Sequence, residues 1–264
     1  MRIFRWLGAA FSMYSRIPMP RFTWRDGDAE HALAFLPIVG AVIGGLAFWL
    51  NSPADAPAGL GMLPAMVRVP LTMLIPFAVT GGFHVDGFMD TEDALRSYGS
   101  AEKRLEILKD PHIGAFAVIG LVRILLLLAA SLSLLFWQDG TDIRIPAMLG
   151  TVFVTARCLS GLTSLLMKKA RKNGMLHEET KSRKTGVLIF LIIELAASAG
   201  FMLFLNPFRG GCVCLAFALY TFFYCRRAEK VFGGVTGDTA GHFLTEAETA
   251  AIAVLALSSL LPFA

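Results

Sequence analysis

The chain has 264 residues, of which 55% are hydrophobic and 17% are charged, and its mean hydropathy is +0.62. This hydropathy is well above that of a soluble domain of similar length, so an ordinary water-soluble fold is excluded and the bilayer is expected to be the main solvent. The four cysteines have neither the spacing of a zinc site nor that of a disulfide framework, and their predicted role is packing.

The first 30 residues are expected to form a cytoplasmic or interfacial segment ahead of the first span. Phe4, Leu7, Phe11 and Tyr14 recur at helical spacing among arginines, a pattern typical of an amphipathic helix that lies in the membrane interface. A frayed terminus is the alternative.

Seven apolar stretches approach the length that a membrane-spanning helix requires, which is about 20 residues. They lie at residues 34–50, 61–82, 114–137, 145–167, 186–205, 211–225 and 246–263. The stretches at 34–50 and 211–225 are short, so the predicted number of spans is seven, or six. The sequence therefore predicts an all-α, polytopic membrane bundle. Because no internal repeat or linker is visible, residues 1–264 are predicted to form one membrane-embedded catalytic domain.

The positive charges are sorted to one side of these spans. If all seven spans cross, the segments 1–33, 84–113, 168–185 and 226–245 lie on the same side, and they contain 19 of the 24 Lys and Arg residues. Because cytoplasmic loops carry the excess of positive charge, this side is predicted to face the cytoplasm. The C-terminus is then predicted to lie outside.

The segment Gly81–Asp93, directly after the second span, holds the most informative pattern. If it is helical, Asp86, Asp90 and Asp93 lie at i, i+4 and i+7 and fall within roughly 60° of one face. Carboxylates this close repel one another unless a cation lies between them, and Mg²⁺ prefers such oxygen ligands. Glu92 is predicted to point about 120° away from the three aspartates. A solvated acidic face with Asp86 as a helix cap is the alternative.

Two further loops on the same side are candidates for contact with an anionic substrate. Lys109 and Asp110 precede a proline in a charged turn that leads into the third span, although such turns are common. Seven positive charges lie between residues 167 and 184, around Arg171 and Gly174. They indicate either an anion-binding face or a determinant of topology and lipid contact.

The last cytoplasmic loop, Gly233–Gly241, contains four glycines and Asp238. Glycines permit close backbone approach to a phosphate, and the carboxylate can contact a metal or a hydroxyl group. Gly237 and Asp238 are therefore candidates for substrate contact, with a flexible turn as the alternative.

Arg157 lies near the middle of its predicted span. An unpaired charge at that depth costs on the order of several kcal/mol, so the guanidinium needs a partner or a polar cavity. Glu194 is the predicted candidate for a partner to one of the intramembrane arginines.

Taken together, these segments resemble the cobalamin synthases, the adenosylcobinamide-GDP ribazoletransferases that complete the nucleotide loop of the cobalamin coenzyme. The matching segments are Tyr14–Pro20, Leu36–Gly40 with Gly44, Gly81–Asp93, Arg104–Asp110, His112–Gly114, Arg171 with Gly174, and Gly233–Asp238 with Glu246. Departures from the family pattern at Ala94, Ala117 and Met175 are small and leave the carboxylates in place.

The resemblance implies a Mg²⁺-dependent phosphotransferase that joins α-ribazole, or its 5′-phosphate, to adenosylcobinamide-GDP and releases GMP. It implies a multi-pass protein of the cytoplasmic membrane of a prokaryote, in contact with lipid and without a nucleic-acid partner, with the active site on the cytoplasmic face. A homo-oligomer is left open. The candidate catalytic residues are His84, Asp86, Asp90 and Asp93, and the three aspartates are also the candidate metal ligands. The candidate substrate-binding residues are Arg16, Lys109, Asp110, Arg157, Arg171, Gly174, Gly237 and Asp238.

Two other classes of function compete with this hypothesis. A CDP-alcohol phosphotransferase also uses clustered aspartates at a membrane boundary, but its motif has an Ala-Arg pair after the first Asp-Gly and two further aspartates well downstream. Here Asp86 is followed closely by Asp90 and Asp93. A transporter whose acidic cluster binds a cation is the second alternative.

Overall fold

The computed structural model of the protein describes residues 2–53, 60–61, 63–138, 142–171, 176, 179–180 and 185–261. Within these ranges the regular structure is helical and no strand forms, which confirms the all-α prediction. The helices are α1 (Arg2–Tyr14), α2 (Asp28–Ala32), α3 (Leu36–Asn51), α4 (Ala65–Thr80), α5 (Phe83–Arg96), α6 (Ala101–Ile107), α7 (Ala115–Gln138), α8 (Arg144–Leu166), α9 (Thr185–Leu205), α10 (Pro207–Phe232) and α11 (Gly237–Ser258). A 3₁₀ turn, Leu33–Phe35, joins α2 to α3.

Six helical segments in the described part of the chain are long and apolar enough to cross a membrane, which confirms a polytopic bundle. The two short predicted stretches prove to be full-length: the first lies within the 24-residue segment Asp28–Asn51, and the other within the 26-residue α10. α4 has only 16 residues and is followed, after a bend of 98°, by α5. Counting this bent pair as one span gives seven.

The last span begins earlier than the sequence pattern predicts, at Gly237 rather than at residue 246. The polar residues Thr239, His242 and Thr245 have the composition of a loop, but their side chains are buried against other helices of the bundle. Polar groups are tolerated in a membrane helix when they face the bundle and pair there. The predicted loop Gly233–Gly241 is therefore a short turn followed by the first turns of α11.

α8 and α11 form the centre of the bundle. The most apolar 18-residue stretch of α8 is 83% buried and that of α11 is 72% buried. The corresponding stretches of α7, α9 and α10 are only 28%, 22% and 28% buried. The three peripheral helices thus present most of their apolar surface to lipid. α11, which carries Asp238, packs against both α8 and α5.

α3 and α8 approach each other through glycines. A Cβ atom built on Gly44 would lie 2.2 Å from the carbonyl oxygen of Gly150, and one built on Gly40 would lie 2.5 Å from that of Phe153. Small residues permit such close backbone contact between membrane helices. The Gly40 and Gly44 pattern therefore serves packing.

The N-terminal segment is a helix and not a frayed terminus. Ala9, Ala10 and Tyr14 of α1 are buried in the core, while Ile3 and Phe4 are 62% and 79% exposed. An ion pair between Arg5 and Asp28, 2.5 Å long, fixes α1 to α2. The position of α1 in the membrane interface stays a prediction.

Candidate active site

The acidic helix α5 begins at a glycine hinge. Gly81 and Gly82 both have positive φ, +76° and +85°, a conformation that favours glycine, and they end α4 and start α5. The Thr80 hydroxyl accepts a hydrogen bond from the Gly82 amide at 3.1 Å and thereby supports the turn. The hinge turns α5 sharply away from the axis of α4.

Asp86, Asp90 and Asp93 are in one continuous helix, as the spacing predicts. The pKa of Asp90 is raised to about 6 by burial first, and then by the charges of Asp86, Asp238 and Asp93. Among the described residues, neither Asp86 nor Asp90 forms an ion pair. Four carboxylates therefore share one region to which the described residues supply little compensating positive charge.

Glycines bring Asp238 to this region. A Cβ atom on Gly87 would lie 2.8 Å from the Cα atom of Asp238, and a Cβ atom on Gly241 would lie 2.7 Å from the carbonyl oxygen of His84. The backbones of α5 and α11 are thus in direct contact at two points. The glycines of the 233–241 segment were predicted to approach a phosphate, but Gly241 instead permits one helix to pack on the other.

The start of α11 is fixed by Thr236. Its hydroxyl accepts a hydrogen bond from the Thr239 amide at 3.2 Å, while the Thr239 hydroxyl accepts one from the Thr236 amide at 2.9 Å. This reciprocal cap ends the turn and begins the helix at Gly237. Asp238 therefore lies in the first turn of α11, and its carboxylate is held at a defined position beside α5.

Asp93 has a structural contact in addition to its place on the acidic face. One carboxylate oxygen accepts a hydrogen bond from the Gly114 amide at 2.7 Å, and the other accepts one from the Ala117 amide at 2.9 Å. These amides belong to the start of α7, so Asp93 caps that helix from a neighbouring one. A Cβ atom on Gly114 would lie 2.5 Å from the carboxylate, which explains the glycine.

Among the described residues, Arg171 is the cation that forms an ion pair with one of the four aspartates. Its Nη1 atom lies 3.6 Å from a carboxylate oxygen of Asp238, and its Nη2 atom donates to the Leu105 carbonyl at 2.7 Å. The segment before it is tied to the α10–α11 turn, because the Val235 amide donates to the Lys168 carbonyl at 2.8 Å. Gly174 lies outside the described residues.

His84 is buried beside the acidic face but its side chain lines an apolar internal cavity. Its Nδ1 atom lies 3.1 Å from the Thr80 hydroxyl. Burial, and then the charge of Arg157, lowers the pKa of His84 to about 3. The imidazole is therefore neutral at physiological pH and is a weak proton acceptor.

Arg157 forms the ion pair that a charge buried in the membrane requires, but its partner is Glu248 and not Glu194. The guanidinium is 1% exposed, and its Nη1 atom lies 2.5 Å from a Glu248 oxygen and 3.0 Å from the Phe153 carbonyl. These contacts make Arg157 part of a buried ion pair between α8 and α11. The structure does not bring it to the aspartates.

The remaining candidate residues lie at the edges of the site. Arg16 is exposed, and its side chain crosses the hinge, since a Cβ atom on Gly81 would lie 2.2 Å from its Cδ atom. Lys109 and Asp110 are exposed in the turn before α7. Asp110 accepts a hydrogen bond from the His112 amide at 3.0 Å, so it stabilises the turn.

A second polar cluster, which the sequence did not predict, lies around Glu92, on a different face of α5 from the aspartates. Glu92 points away from the aspartates as predicted, but it is buried, 3.2 Å from Nε2 of His242 and 3.7 Å from a guanidinium nitrogen of Arg123. Arg123 also pairs with Glu246. The spacing of His242 and Glu246, one helical turn apart, is the sequence signal for this cluster.

Glu92, His242 and Glu246 are, among the described residues, the group whose possible ligand atoms all lie within 4.8 Å of one another. The four aspartates are not in such a closed arrangement. The two guanidinium groups of Arg123 and Arg96 already compensate the charge of this buried cluster, however, whereas Asp86 and Asp90 have no such partner in the described part of the chain. The buried cluster is therefore an ion-pair network, and the aspartates are the better candidate for a cation site.

The comparisons with known proteins all indicate one family. Residues 7–256 match the family model described as cobalamin-5-phosphate synthase. The chain is similar to an adenosylcobinamide-GDP ribazoletransferase of Lachnoclostridium phytofermentans, with 38% identity over 92% of this chain and 91% of the relative. It is also similar to proteins of the same name from Clostridium perfringens strain ATCC 13124, at 30% identity over 97% of this chain and 100% of the relative, and Geobacillus kaustophilus, at 29% identity over 92% of each. No solved structure matches the chain significantly.

Proposed function

The chain belongs to the cobalamin-5-phosphate synthase family, and from this membership we propose that it joins α-ribazole, or its 5′-phosphate, to adenosylcobinamide-GDP with release of GMP. We further propose that the reaction depends on Mg²⁺ and that Asp86, Asp90 and Asp238 hold the ion, with the charge of Asp93 beside them. Neither a CDP-alcohol phosphotransferase nor a transporter is favoured by the family match, which spans nearly the whole chain.

The metal assignment rests on one observation: carboxylates from two helices are forced together without a cation among the described residues to pair with Asp86 or Asp90. Burial raises the pKa of Asp90 to about 6, and the repulsion between these carboxylates contributes to the shift. A hard divalent cation relieves this repulsion, and carboxylate oxygens are its preferred ligands. The donor set is therefore chemically suited to Mg²⁺.

The neighbouring residues support phosphoryl transfer. If Asp86, Asp90 and Asp238 hold Mg²⁺, the ion would supply positive charge to offset that of a diphosphate and of the departing phosphate. Arg171, held between Asp238 and the Leu105 carbonyl, offers a guanidinium to non-bridging phosphate oxygens at the edge of the same site.

The sorting of positive charge supports a multi-pass protein of the cytoplasmic membrane with this site on the cytoplasmic face. The aspartates of α5, α6 and the α10–α11 turn belong to the chain segments that carry most of the Lys and Arg residues. Lipid surrounds the exposed apolar faces of α7, α9 and α10.

The test is Mg²⁺-dependent formation of the cobalamin product and GMP from adenosylcobinamide-GDP and α-ribazole by the purified protein in detergent. Asp86→Asn and Asp90→Asn each remove one negative charge with little change in shape, and we expect each to reduce turnover at least 100-fold while the protein stays folded. Binding of the corrinoid substrate should persist, because the metal acts on charge that develops during the reaction.

Glu102→Gln is the matched control, because Glu102 is an exposed carboxylate on α6 that contacts none of the four aspartates. It should retain wild-type turnover and the wild-type Mg²⁺ dependence. Near-normal GMP release by the Asp86 and Asp90 variants over a full Mg²⁺ titration would contradict the metal assignment. No GMP release by the wild-type protein would contradict the proposed reaction.

A further inference from the structure

A groove separates α1 from the beginning of α9. Ile3 and Trp6 of α1 line one side of it, and Gly186, Val187 and Phe190 of α9 line the other. The end of α2 and the turn that follows it complete the described lining. The free volume of the groove is about 380 Å³, within the range of small-molecule sites, roughly 300–1,000 Å³. The groove is therefore large enough for a ligand.

The lining is apolar and aromatic. The ring centroids of Phe35 and Phe190 lie 5.5 Å apart, and Trp6 is stacked on His31 with 3.9 Å between the ring centroids. His31 is the most polar of the described lining residues, and its Nδ1 atom donates a hydrogen bond to the Gly27 carbonyl at 2.7 Å. No Lys, Arg, Asp or Glu is among the described lining residues. A bound water needs about 2–4 polar partners, so this lining is poorly suited to water.

The groove is continuous with the surface that α9 presents to lipid. Gly186, Val187 and Phe190 lie in the first two turns of α9, a helix long and apolar enough to span a membrane. Ile189 and Ile193 of the same helix are 51% and 59% exposed. In the proposed orientation this end of α9 is cytoplasmic, so the groove lies where the hydrocarbon of the inner leaflet meets the lipid head groups. A lipid chain can therefore enter the groove from the bilayer.

The two sides of the groove leave apolar side chains uncovered. Ile3 is 62% exposed and Phe190 is 39% exposed, although both line the groove. The ion pair between Arg5 and Asp28 fixes α1 to α2, and it makes no contact with α9. An apolar chain in the groove would cover Ile3 and Phe190 together and would join α1 to α9, and burial of apolar surface favours such packing.

We infer that the groove binds one acyl chain of a membrane phospholipid and that this chain packs α1 against α9. The inference does not depend on the proposed reaction. A nucleotide or another phosphorylated compound would find no Lys or Arg among the described lining residues. An acyl chain matches the apolar lining, and its head group stays at the membrane interface.

The experiment counts the phospholipids that stay bound to the full-length protein. The protein is equilibrated in vesicles of phosphatidylethanolamine and phosphatidylglycerol in equal amounts, extracted in detergent, washed and measured by native mass spectrometry. The wild type should retain one phospholipid. In Gly186→Leu the fraction with bound lipid should fall about tenfold or more, because the leucine side chain occupies the groove. This variant should fold, since a Cβ atom on Gly186 meets nothing within 4 Å.

Gly200→Leu is the matched control on the same helix. A Cβ atom on Gly200 also meets nothing within 4 Å, but Gly200 does not line the groove, so this variant should retain lipid as the wild type does. Ile3→Gln and Phe4→Gln form a second pair. Both residues are exposed on α1, but of the two only Ile3 lines the groove. Ile3→Gln should weaken lipid retention, and Phe4→Gln should not.

Thermal unfolding gives a second measurement. A ligand that binds only the folded state raises the unfolding midpoint. Added phosphatidylglycerol should therefore raise the midpoint of the delipidated wild type and of Gly200→Leu, and should raise that of Gly186→Leu much less. Equal lipid retention by the wild type and Gly186→Leu would overturn the inference, and so would displacement of the retained lipid by excess adenosylcobinamide-GDP. Both results are independent of turnover.

Discussion

Asp90 and Glu92 are two residues apart on α5, yet their carboxyl groups meet opposite electrostatic environments. Burial and three neighbouring aspartates raise the pKa of Asp90 to about 6. Burial also acts to raise the pKa of Glu92, but the hydrogen bond from His242 and the charges of Arg123 and Arg96 outweigh it and lower the pKa. One face of the helix therefore retains repulsion that a cation can relieve, while the other is already neutralised by the protein.

Arg157 and Glu248 illustrate a different use of charge, since both are buried inside the bundle at 1% and 6% exposure. Removing one member of a buried ion pair leaves the other charge uncompensated, which costs about 3–5 kcal/mol. We therefore expect Arg157→Leu to lower the thermal unfolding midpoint in detergent and to reduce turnover. Arg157→Leu combined with Glu248→Leu should recover much of the lost stability, because no lone charge remains.

Arg144→Leu is the control for this prediction, because Arg144 is exposed and contacts Asp142 at the other end of α8. Exposed ion pairs contribute about 0–1 kcal/mol, so this variant should unfold close to the wild-type temperature. Equal stability of the Arg144 and Arg157 single variants would show that the buried pair does not stabilise the bundle.

At the scale of the helices, α5 is held by glycine contacts on two sides. Gly87 of α5 and Gly241 of α11 permit direct backbone contact between those helices, and Gly114 and Gly120 at the start of α7 make room for Asp93 and Glu92. Helices whose backbones are in direct contact cannot accept an added methyl group there without moving. The spacing of the carboxylates is thus set by backbone contact.

Gly241→Ala tests this role. The added Cβ atom would lie 2.7 Å from the His84 carbonyl oxygen, so α5 and α11 must separate. Overpacking of this kind costs about 1–3 kcal/mol. We expect at least a tenfold loss of turnover and a higher Mg²⁺ concentration at half-maximal rate, because Asp238 moves relative to Asp86.

Gly200→Ala serves as the comparison, because a Cβ atom at Gly200 of α9 would meet nothing within 4 Å. Alanine favours a helix by about 1 kcal/mol relative to glycine, so this variant should be as stable as the wild type or more stable, with normal Mg²⁺ dependence. An unchanged Mg²⁺ dependence in Gly241→Ala would show that the Gly241 contact does not set the spacing of the carboxylates.

At the scale of the whole molecule, the direction of every helix after α4 depends on whether α4 crosses the membrane. Its 16 residues extend about 24 Å as an α-helix, less than the roughly 30 Å of the hydrocarbon core, and α5 turns away from it by 98°. With α4 as a span, α11 runs outward from the acidic region and the C-terminus lies outside.

Reporter fusions test this arrangement. Fusions near residues 100 and 176 should report the cytoplasm, and a fusion at the C-terminus should report the outside, because 19 of the 24 Lys and Arg residues are then cytoplasmic. A cytoplasmic C-terminus would mean that α4 and α5 together do not cross. The aspartates of α5 and Asp238 would still be adjacent, since the bundle itself does not change.

The sequence by itself determined the class of the protein, most of its spans and the acidic helix, because these depend on local properties. Hydropathy over about 20 residues identifies a span, and residue spacing places Asp86, Asp90 and Asp93 on one face of a helix. The prediction of the last span was wrong at its start because buried polar residues such as Thr239 and His242 have the composition of a loop. Local composition does not reveal that other helices pair with them.

Only the tertiary structure decided which residues meet across helices. Periodicity gives the direction of a side chain on its own helix, but not the neighbouring helix, its rotation or its distance. Contacts at Gly87 and Gly241 bring Asp238 to the acidic face, and Glu248, rather than Glu194, lies opposite Arg157. The proposed metal site depends on the contacts at Gly87 and Gly241, because its carboxylates belong to two helices that are far apart in the chain.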